Sequence, residues 1–535
     1  MKTLRSYVAG RWHAATTGFR TLVDPCTEEP IARASSAGID FGVALAAARQ
    51  AGASLRRLGF AERGEILTRA SAALHAQRDE LIQLSLENTG ATRRDSKFDI
   101  DGATATLAYY GTLGRELGSR RHLSDGEGVQ LGRTPRFWGR HVLVPLQGAA
   151  IHVNAFNFPV WGFAEKAACA ILAGMPVVTK PATSSALVTE RAIEILIEGN
   201  VFPAGSLSLV CGALGDLLDR LGPQDVVAFT GSAATAAGIK AQPKLIAAAT
   251  RVNVEADSLN AAILGPDVTT GSETWGAFVR EVTREITQKS GQKCTAVRRI
   301  LVPAARLAEV EQALAAELAR VVVGNPRDET VTLGPLATAD QLKDALEGLG
   351  RLRQVARIVH GTGERVDGAS NPPGKGFFFG PTLLRADDAE RARAIHEHEV
   401  FAPVATILGY DGTAEQAAHL VALGGGTLVT SLYTDDEGYV ASYLAAGGST
   451  TGRLYVGSEK VAPQLLGSGL VLPALTHGGP GRAGGGQELG GLRGLELYMQ
   501  RVAVSGDKAL VERLVGGGAE AGGPGSVAGR SGSGL

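Results

Sequence analysis

Between residues 141 and 303 the chain alternates short, wholly apolar runs with segments of helical spacing: HVLVPLQGAAIHV, GFAEKAACAILAG, MPVVTKP, SALVTERAIEILIEGN, SLSLVCG, DVVAFTGS and KLIAAATRVNVEA. Apolar runs of this length belong in strands buried on both faces, and the segments between them have the 3.6-residue period needed to cover those faces. Strand, helix, strand in that order means βαβ units and a largely parallel sheet, hence an α/β fold. A second series starts near residue 261 with AAILGPD, passes through the helix WGAFVREVTREITQKSGQ and reaches the strand RRILVP. It extends a second α/β domain to about residue 460. Two domains are what 535 residues require, because a single core stops growing well below that length.

Ahead of these series, GVALAAARQAGASLRRL and ERGEILTRASAALHAQRDELIQLSLENTG read as amphipathic helices. Residues 119–140, SRRHLSDGEGVQLGRTPRFWGR, break the helical rhythm and read as a hairpin leaving the first domain. Residues 516–535 are a Gly, Ser and Ala tail that cannot bury enough apolar surface to stay ordered. A net charge of −1 gives no electrostatic footprint for nucleic acid. The absence of a signal-like start and of any apolar run of about 18 residues predicts no membrane partner and a cytoplasmic protein. Four cysteines, Cys26, Cys169, Cys211 and Cys294, stand far apart without a CxxC pair, which fits neither a disulfide framework nor a metal site.

Several residues invite chemistry, and each has a plainer reading. FTGSAATAAG places Gly231 and Ser232 between a strand end and a helix, suited to phosphate on free N–H groups or to an ordinary serine N-cap. VVTKPATSS puts Lys180 at a strand end, where it can meet ribose and phosphate or merely solvent. Cys294 in GQKCTAVRR is either a nucleophile or a small core hydrophobe, and no histidine stands near it in sequence. Glu255 in VNVEADSLN ends an apolar strand, as a general base or as an arginine partner. Asn157 in HVNAFNFPVW could donate to an oxyanion or cap a turn.

Taken together, NFP at 157–159, KPATSS at 180–185, FTGS at 229–232, VEADSLN at 254–260, GQKCTA at 291–296 and HEVFAPV at 398–404 resemble, in order and spacing, the NAD(P)-dependent aldehyde dehydrogenases. The resemblance covers roughly residues 5–505 and implies that family's fold: a Rossmann-like cofactor domain, an α/β catalytic domain and a small β oligomerisation arm. On this chain those become residues 1–118 with 141–260, residues 261–460, and residues 119–140 with 461–510. It implies that Cys294 attacks the aldehyde, that Asn157 and the Cys294 N–H hold the oxyanion, and that Glu255 activates the water that hydrolyses the thioester. Lys166 and Glu488 match positions that relay the proton outward. Lys180, Gly231, Ser232, Glu399 and Phe401 match the cofactor contacts.

Thr183 stands where NAD-preferring members carry a glutamate, so NADP is expected to be preferred, with NAD accepted. His398, Ala402 and the segment EADSLN depart from the commoner family pattern. Those departures, with HGGPGRAGGGQELGGLRG, resemble members that oxidise CoA-linked semialdehydes in benzoate and phenylacetate degradation. The expected partners are therefore a small, CoA-linked aldehyde and a second copy of the chain in a homodimer. CoA-acylating chemistry is the alternative, and it is disfavoured by Glu255. Arg298 and Arg299 read as incidental, a lead into the next strand.

Overall fold

The computed structural model describes residues 1–464 and 466–515. The expected tail at 516–535 lies outside the described residues. Two seven-stranded sheets dominate. In the first, the strands run in the order Arg251–Glu255, Val226–Thr230, Ala150–Val153, Val177–Lys180, Leu207–Leu209, Ser6–Val8, Arg11–His13. The first five are mutually parallel, and the two N-terminal strands are added antiparallel. The chain starts in the middle at Ala150–Val153, winds outward to Leu207–Leu209, then crosses back to Val226–Thr230 on the other flank. That reversal makes a crevice at the carboxyl ends of Ala150–Val153 and Val226–Thr230, where doubly wound sheets receive ligands.

The second sheet runs Arg357–His360, Thr382–Arg385, Val404–Tyr410, Arg299–Pro303, Ala261–Leu264, Thr427–Tyr433, Thr451–Gly457, parallel except for its first strand. Ala261–Leu264 is buried at every position, which explains its unbroken apolar pattern. Residues expected to leave the first domain form the strand Leu123–Gln130 and the start of Phe137–Pro145, and the second strand continues past residue 140. Met499–Asp507 completes a separate three-stranded antiparallel sheet. Among the described residues no helix is long and apolar enough to cross a membrane.

The N-terminal helices Phe60–Ala76 and Arg93–Leu117 approach through glycine. A Cβ on Gly64 would meet the Gly111 carbonyl oxygen at 2.7 Å, and one on Gly114 would meet Gly64 Cα at 2.7 Å. This close crossing presses Arg93–Leu117 onto the helix Trp161–Ala173 and fixes the loop before it. Buried Asp99 accepts from the N–H groups of Val160 (3.3 Å) and Trp161 (2.8 Å), and Thr189 Oγ1 donates to the Pro159 carbonyl at 2.8 Å. The segment Asn157–Pro159 is thereby held rigidly against the sheet.

Candidate active site

Residues at the carboxyl ends of the first sheet fit a dinucleotide. Asn154 Oδ1 and Thr230 Oγ1, next to the crevice, are buried without a hydrogen-bond partner, and such orphans are rare unless a ligand satisfies them. Lys180 makes no ion pair among the described residues, and burial lowers its pKa. Its charge is felt by Arg20, an exposed residue on the strand Arg20–Val23 that packs on the turn Thr183–Ser185. Gly231 approaches closely, since a Cβ there would meet the Phe229 ring at 2.6 Å. Ser232 caps the helix Ala233–Lys240 through Thr235 N–H, while Asp257 takes the Ala233 N–H at 2.8 Å. Phe401 packs edge-on to Phe156 at 5.9 Å.

Glu399 is buried, accepting from Ser258 N–H (3.1 Å) and facing Arg298 (3.4 Å). Burial pushes its pKa up to about 7, against the pull of Arg298. Arg298 is thus not incidental: it also donates to the carbonyls of Ala402 and Gly291, both at 2.8 Å, and lies over the Phe401 ring. Nor is Arg299, which is fully buried and donates to the carbonyls of Leu259, Leu420 and Val421. Buried carbonyls that no strand partner reaches need such donors.

Cys294 sits at the end of a strained loop. Lys289 and Ser290 have φ of 54° and 55°, a region costly for residues with a Cβ, and Gly291 follows at 67°. No larger residue fits at 291, because a Cβ would lie 2.3 Å from the Ala402 carbonyl. Many anchors hold this conformation. Ser290 Oγ donates to Gly334 O (2.8 Å), Ala337 N–H donates to Gln292 Oε1 (3.0 Å) and Lys293 pairs with Glu285 (2.5 Å). Asn260 Nδ2 donates to the carbonyls of Cys294 (2.7 Å) and Ala296 (2.9 Å), and Thr295 Oγ1 donates to Gly469 O (2.9 Å). Cys26, Cys169 and Cys211 are buried, whereas Cys294 opens onto a small cavity.

That cavity gathers Asn157, Glu165, Lys166, Glu255, Cys294 and His477. Donor atoms of Cys294, Glu255 and His477 lie within 4.8 Å of one another, as do those of Glu165, Glu255 and Glu488. His477 belongs to a two-stranded hairpin in which it stands directly opposite Glu488. The hairpin docks on the Glu255 strand through Gly486 N–H to Val254 O (3.0 Å) and Ala256 N–H to Ala483 O (3.0 Å). His477 Nε2 is 3.3 Å from Glu255 Oε1, an ion-pair contact lying off the hydrogen-bond line. Lys166 bridges Glu165 (3.0 Å) and Glu488 (3.1 Å), and Asn253 Nδ2 donates to Glu488 at 3.2 Å.

The electrostatics divide these groups. Burial works against a charged Glu255, but His477, Lys166 and the Cys294 thiol outweigh it and hold the carboxyl below its ordinary range. Burial also works against a charged His477, and Glu255 overcomes it to raise the imidazole pKa. Glu165 goes the other way, to about 7, because burial dominates. Burial, then the Glu255 charge, pushes the Cys294 thiol well up, which favours the neutral thiol beside the Glu255 carboxylate. The Asn157 side chain and the Cys294 N–H donate to no other group among the described residues.

The structure therefore gathers Cys294, Glu255, Asn157 and Lys166 at one cavity, with Glu488 behind it on Lys166, and Gly231, Ser232, Lys180 and Thr183 at the carboxyl ends of the neighbouring strands. Sequence reasoning missed Glu165, His477 and Arg20. Glu165 adjoins Lys166 in a helix with few other charges, a signal that was readable. His477 gave none, since its link to Glu255 exists only once the hairpin docks.

The Aldehyde dehydrogenase family profile matches residues 12–504. A protein of Aromatoleum evansii described as 3,4-dehydroadipyl-CoA semialdehyde dehydrogenase is 43% identical over 478 residues, covering 89% of this chain and 93% of that protein. Protein MaoC of Klebsiella aerogenes is 36% identical over 182 residues, 34% of this chain and 52% of that protein. Among solved structures, betaine aldehyde dehydrogenase of Staphylococcus aureus with NAD+ superposes with a TM-score of 0.81 at 24% identity, covering 94% of this chain and 95% of that one. A 3,6-anhydro-L-galactose dehydrogenase gives 0.81 at 22% identity, covering 95% and 100%.

Proposed function

The chain belongs to the aldehyde dehydrogenase family, and from that premise we propose that it oxidises a CoA-linked semialdehyde to the acid by hydrolysis of a Cys294 thioester, with NADP preferred. The observation that carries this reading is the placing of the Cys294 sulfur within 4.8 Å of a Glu255 carboxylate oxygen, in a cavity also lined by Asn157. Glu255 takes the thiol proton as sulfur attacks the carbonyl carbon. Asn157 Nδ2 and the Cys294 N–H then receive the oxyanion, a contact worth about 10²–10³ in rate for one such donor. When bound, the nicotinamide ring supplies the two-electron acceptor that leaves a thioester on sulfur. Glu255 next takes a proton from water attacking that thioester, and Lys166 between Glu165 and Glu488 gives the proton a buried route away. A CoA-acylating enzyme needs no such base, so the buried Glu255 favours hydrolysis. The relative from Aromatoleum evansii supports a CoA-linked semialdehyde of aromatic degradation as substrate.

NADP preference is supported by Thr183, which places no carboxylate near the adenosine ribose, and by the Arg20 cation beside Lys180. Gly231 and Ser232 would meet the pyrophosphate, and Glu399 with Phe401 the nicotinamide ribose and ring. One steady-state experiment tests both halves: kcat/KM with NADP and NAD, for semialdehydes carrying and lacking the CoA thioester. NADP and the CoA-linked aldehyde should each win; a preference of about tenfold for NAD would sink the cofactor reading. Thr183→Glu should lower kcat/KM for NADP by about tenfold or more, through repulsion of the 2′-phosphate.

Subunit pairing is proposed through the sheet of Leu123–Gln130, Phe137–Pro145 and Met499–Asp507, where exposed Val129, Leu131 and Phe137 cluster.

His477 is assigned the task of keeping Glu255 ionised. Its imidazole feels the charges of Glu255 and Glu165, which favour the cation, and that of Arg453, which opposes it. Replacing it with phenylalanine removes a cation from Glu255, so the carboxyl pKa rises and Glu255 is protonated at higher pH. The acid limb of kcat should move up by about 1–3 pH units. An unmoved limb would mean that Lys166 alone sets the Glu255 charge.

A further inference from the structure

The catalytic cavity has only about 40 Å³ of free space, room for the aldehyde end of a substrate and little more. Beside it is a surface cleft of about 790 Å³, walled by the first turn of Arg93–Leu117 and by the helices Glu273–Thr287 and Leu307–Leu318. Arg94, Trp275, Arg280 and Arg284 line it. Two chains of contact tie the cleft to Cys294. On one wall, Arg94 lines the cleft and Phe98, one turn along the same helix face, lines the catalytic cavity. On the other, the Arg284 guanidinium fills the space beside Gly467, and Glu285 accepts from the N–H of Gly469, which lines the catalytic cavity.

The free charge of the cleft is positive. Arg94 and Arg280 form no ion pair among the described residues, and Arg280 donates only to the Ala462 carbonyl at 3.2 Å. Arg284 is tied to Glu281 and Glu285. Of the acids present, Glu317 pairs with Arg320 at 3.0 Å, and Asp95 is buried, accepting from Thr92 Oγ1 at 2.9 Å. Trp275 is half-buried, with Arg306 over its ring, and offers a flat apolar wall next to these cations. No residue expected to hold the dinucleotide lines the cleft. The other large cleft, of about 680 Å³, is also rich in arginine, but Arg357 and Arg385 are tied to Glu311 and Arg391 to Asp388, leaving Arg353 as its one arginine without an ion pair among the described residues. No helix or strand that lines it also lines the catalytic cavity, whereas Arg93–Leu117 lines both that cavity and the first cleft.

We propose that the cleft holds the phosphorylated nucleotide end of a CoA thioester, with Arg94 and Arg280 on its phosphates and Trp275 against the base, while the acyl arm runs along the Arg94–Phe98 face of the helix toward Cys294. The assignment rests on the reading of the substrate as a CoA thioester. It separates two nucleotides on one enzyme: the cofactor at the sheet edge, the substrate handle at the cleft.

The test compares kcat/KM for three forms of one semialdehyde: on CoA, on pantetheine, which keeps the arm but lacks the phosphorylated nucleotide, and as the free acid. Each is measured with the wild type and with the double variant Arg94→Glu/Arg280→Glu. Charge-assisted contacts to two arginines predict a wild-type preference for CoA over pantetheine of about 100-fold. In the variant that preference should collapse to within about threefold, with the pantetheine rate unchanged. A variant that keeps the full CoA preference overturns the cleft while leaving the CoA reading intact. If the wild type treats the CoA and pantetheine forms alike, the cleft is equally overturned; if the free acid is also turned over as well as both, the CoA reading falls with it.

Discussion

Cys294→Ala abolishes NADPH formation, by on the order of 10⁴ or more, while NADP still binds with unchanged affinity. The expectation follows from what the sulfur touches. Its surface opens onto the cavity shared with Asn157, Glu255 and His477, and the backbone around it is held by groups that alanine retains. Losing one atom into an existing cavity leaves Lys180 and Ser232, proposed to meet the cofactor and not lining that cavity, untouched. Absorbance at the reduced nicotinamide band reports turnover, and a fluorescence titration with NADP reports binding. Activity within about tenfold of wild type would remove Cys294 from the chemistry. Loss of NADP binding as well would show that the sulfur acts through the fold.

The contrast between this cysteine and the other three shows what the sequence could reveal. The unbroken apolar runs at 150–153, 226–230 and 261–264 announced parallel strands buried on both faces, and the structure places them so. The neighbours of Cys294 announced nothing. The role proposed for it came from the ordered set of distant motifs, and its geometry came from a loop whose positive φ at Lys289 and Ser290 has no sequence signature. Gly291 was visible only as a glycine; that the Ala402 carbonyl forbids any side chain there is a fact of packing. In sequence Arg298 reads as no more than a lead into the next strand, yet it ties the loop to Glu399 and Ala402. His477 was beyond reach, since its contact with Glu255 depends on a hairpin docking on a strand more than 200 residues earlier in the chain. Local periodicity therefore reports what each segment buries, and the site is built from contacts between segments.

Glu255→Gln should give one burst of NADPH per active site and then stall, with the steady state lower by about 10²–10⁴. Glutamine keeps the shape of the side chain but cannot take a proton from water, so the thioester on Cys294 accumulates. The burst itself carries a second signature. In the native site the thiol pKa is raised first by burial and then by the Glu255 charge. Removing that charge lets the thiolate form at lower pH than in a site that keeps it, while also removing the base that would take the proton. The burst should therefore grow as pH rises and thiolate replaces thiol, whereas the wild-type rate, served by an ionised Glu255, stays flat over the same range. Rapid-mixing measurements of burst size and rate against pH check both statements, and mass spectrometry of the stalled enzyme should find the acyl group on Cys294. A steady state equal to that of the wild type would mean that another group activates the water, and Glu165, whose carboxyl is raised to about 7, would be the residue to replace next.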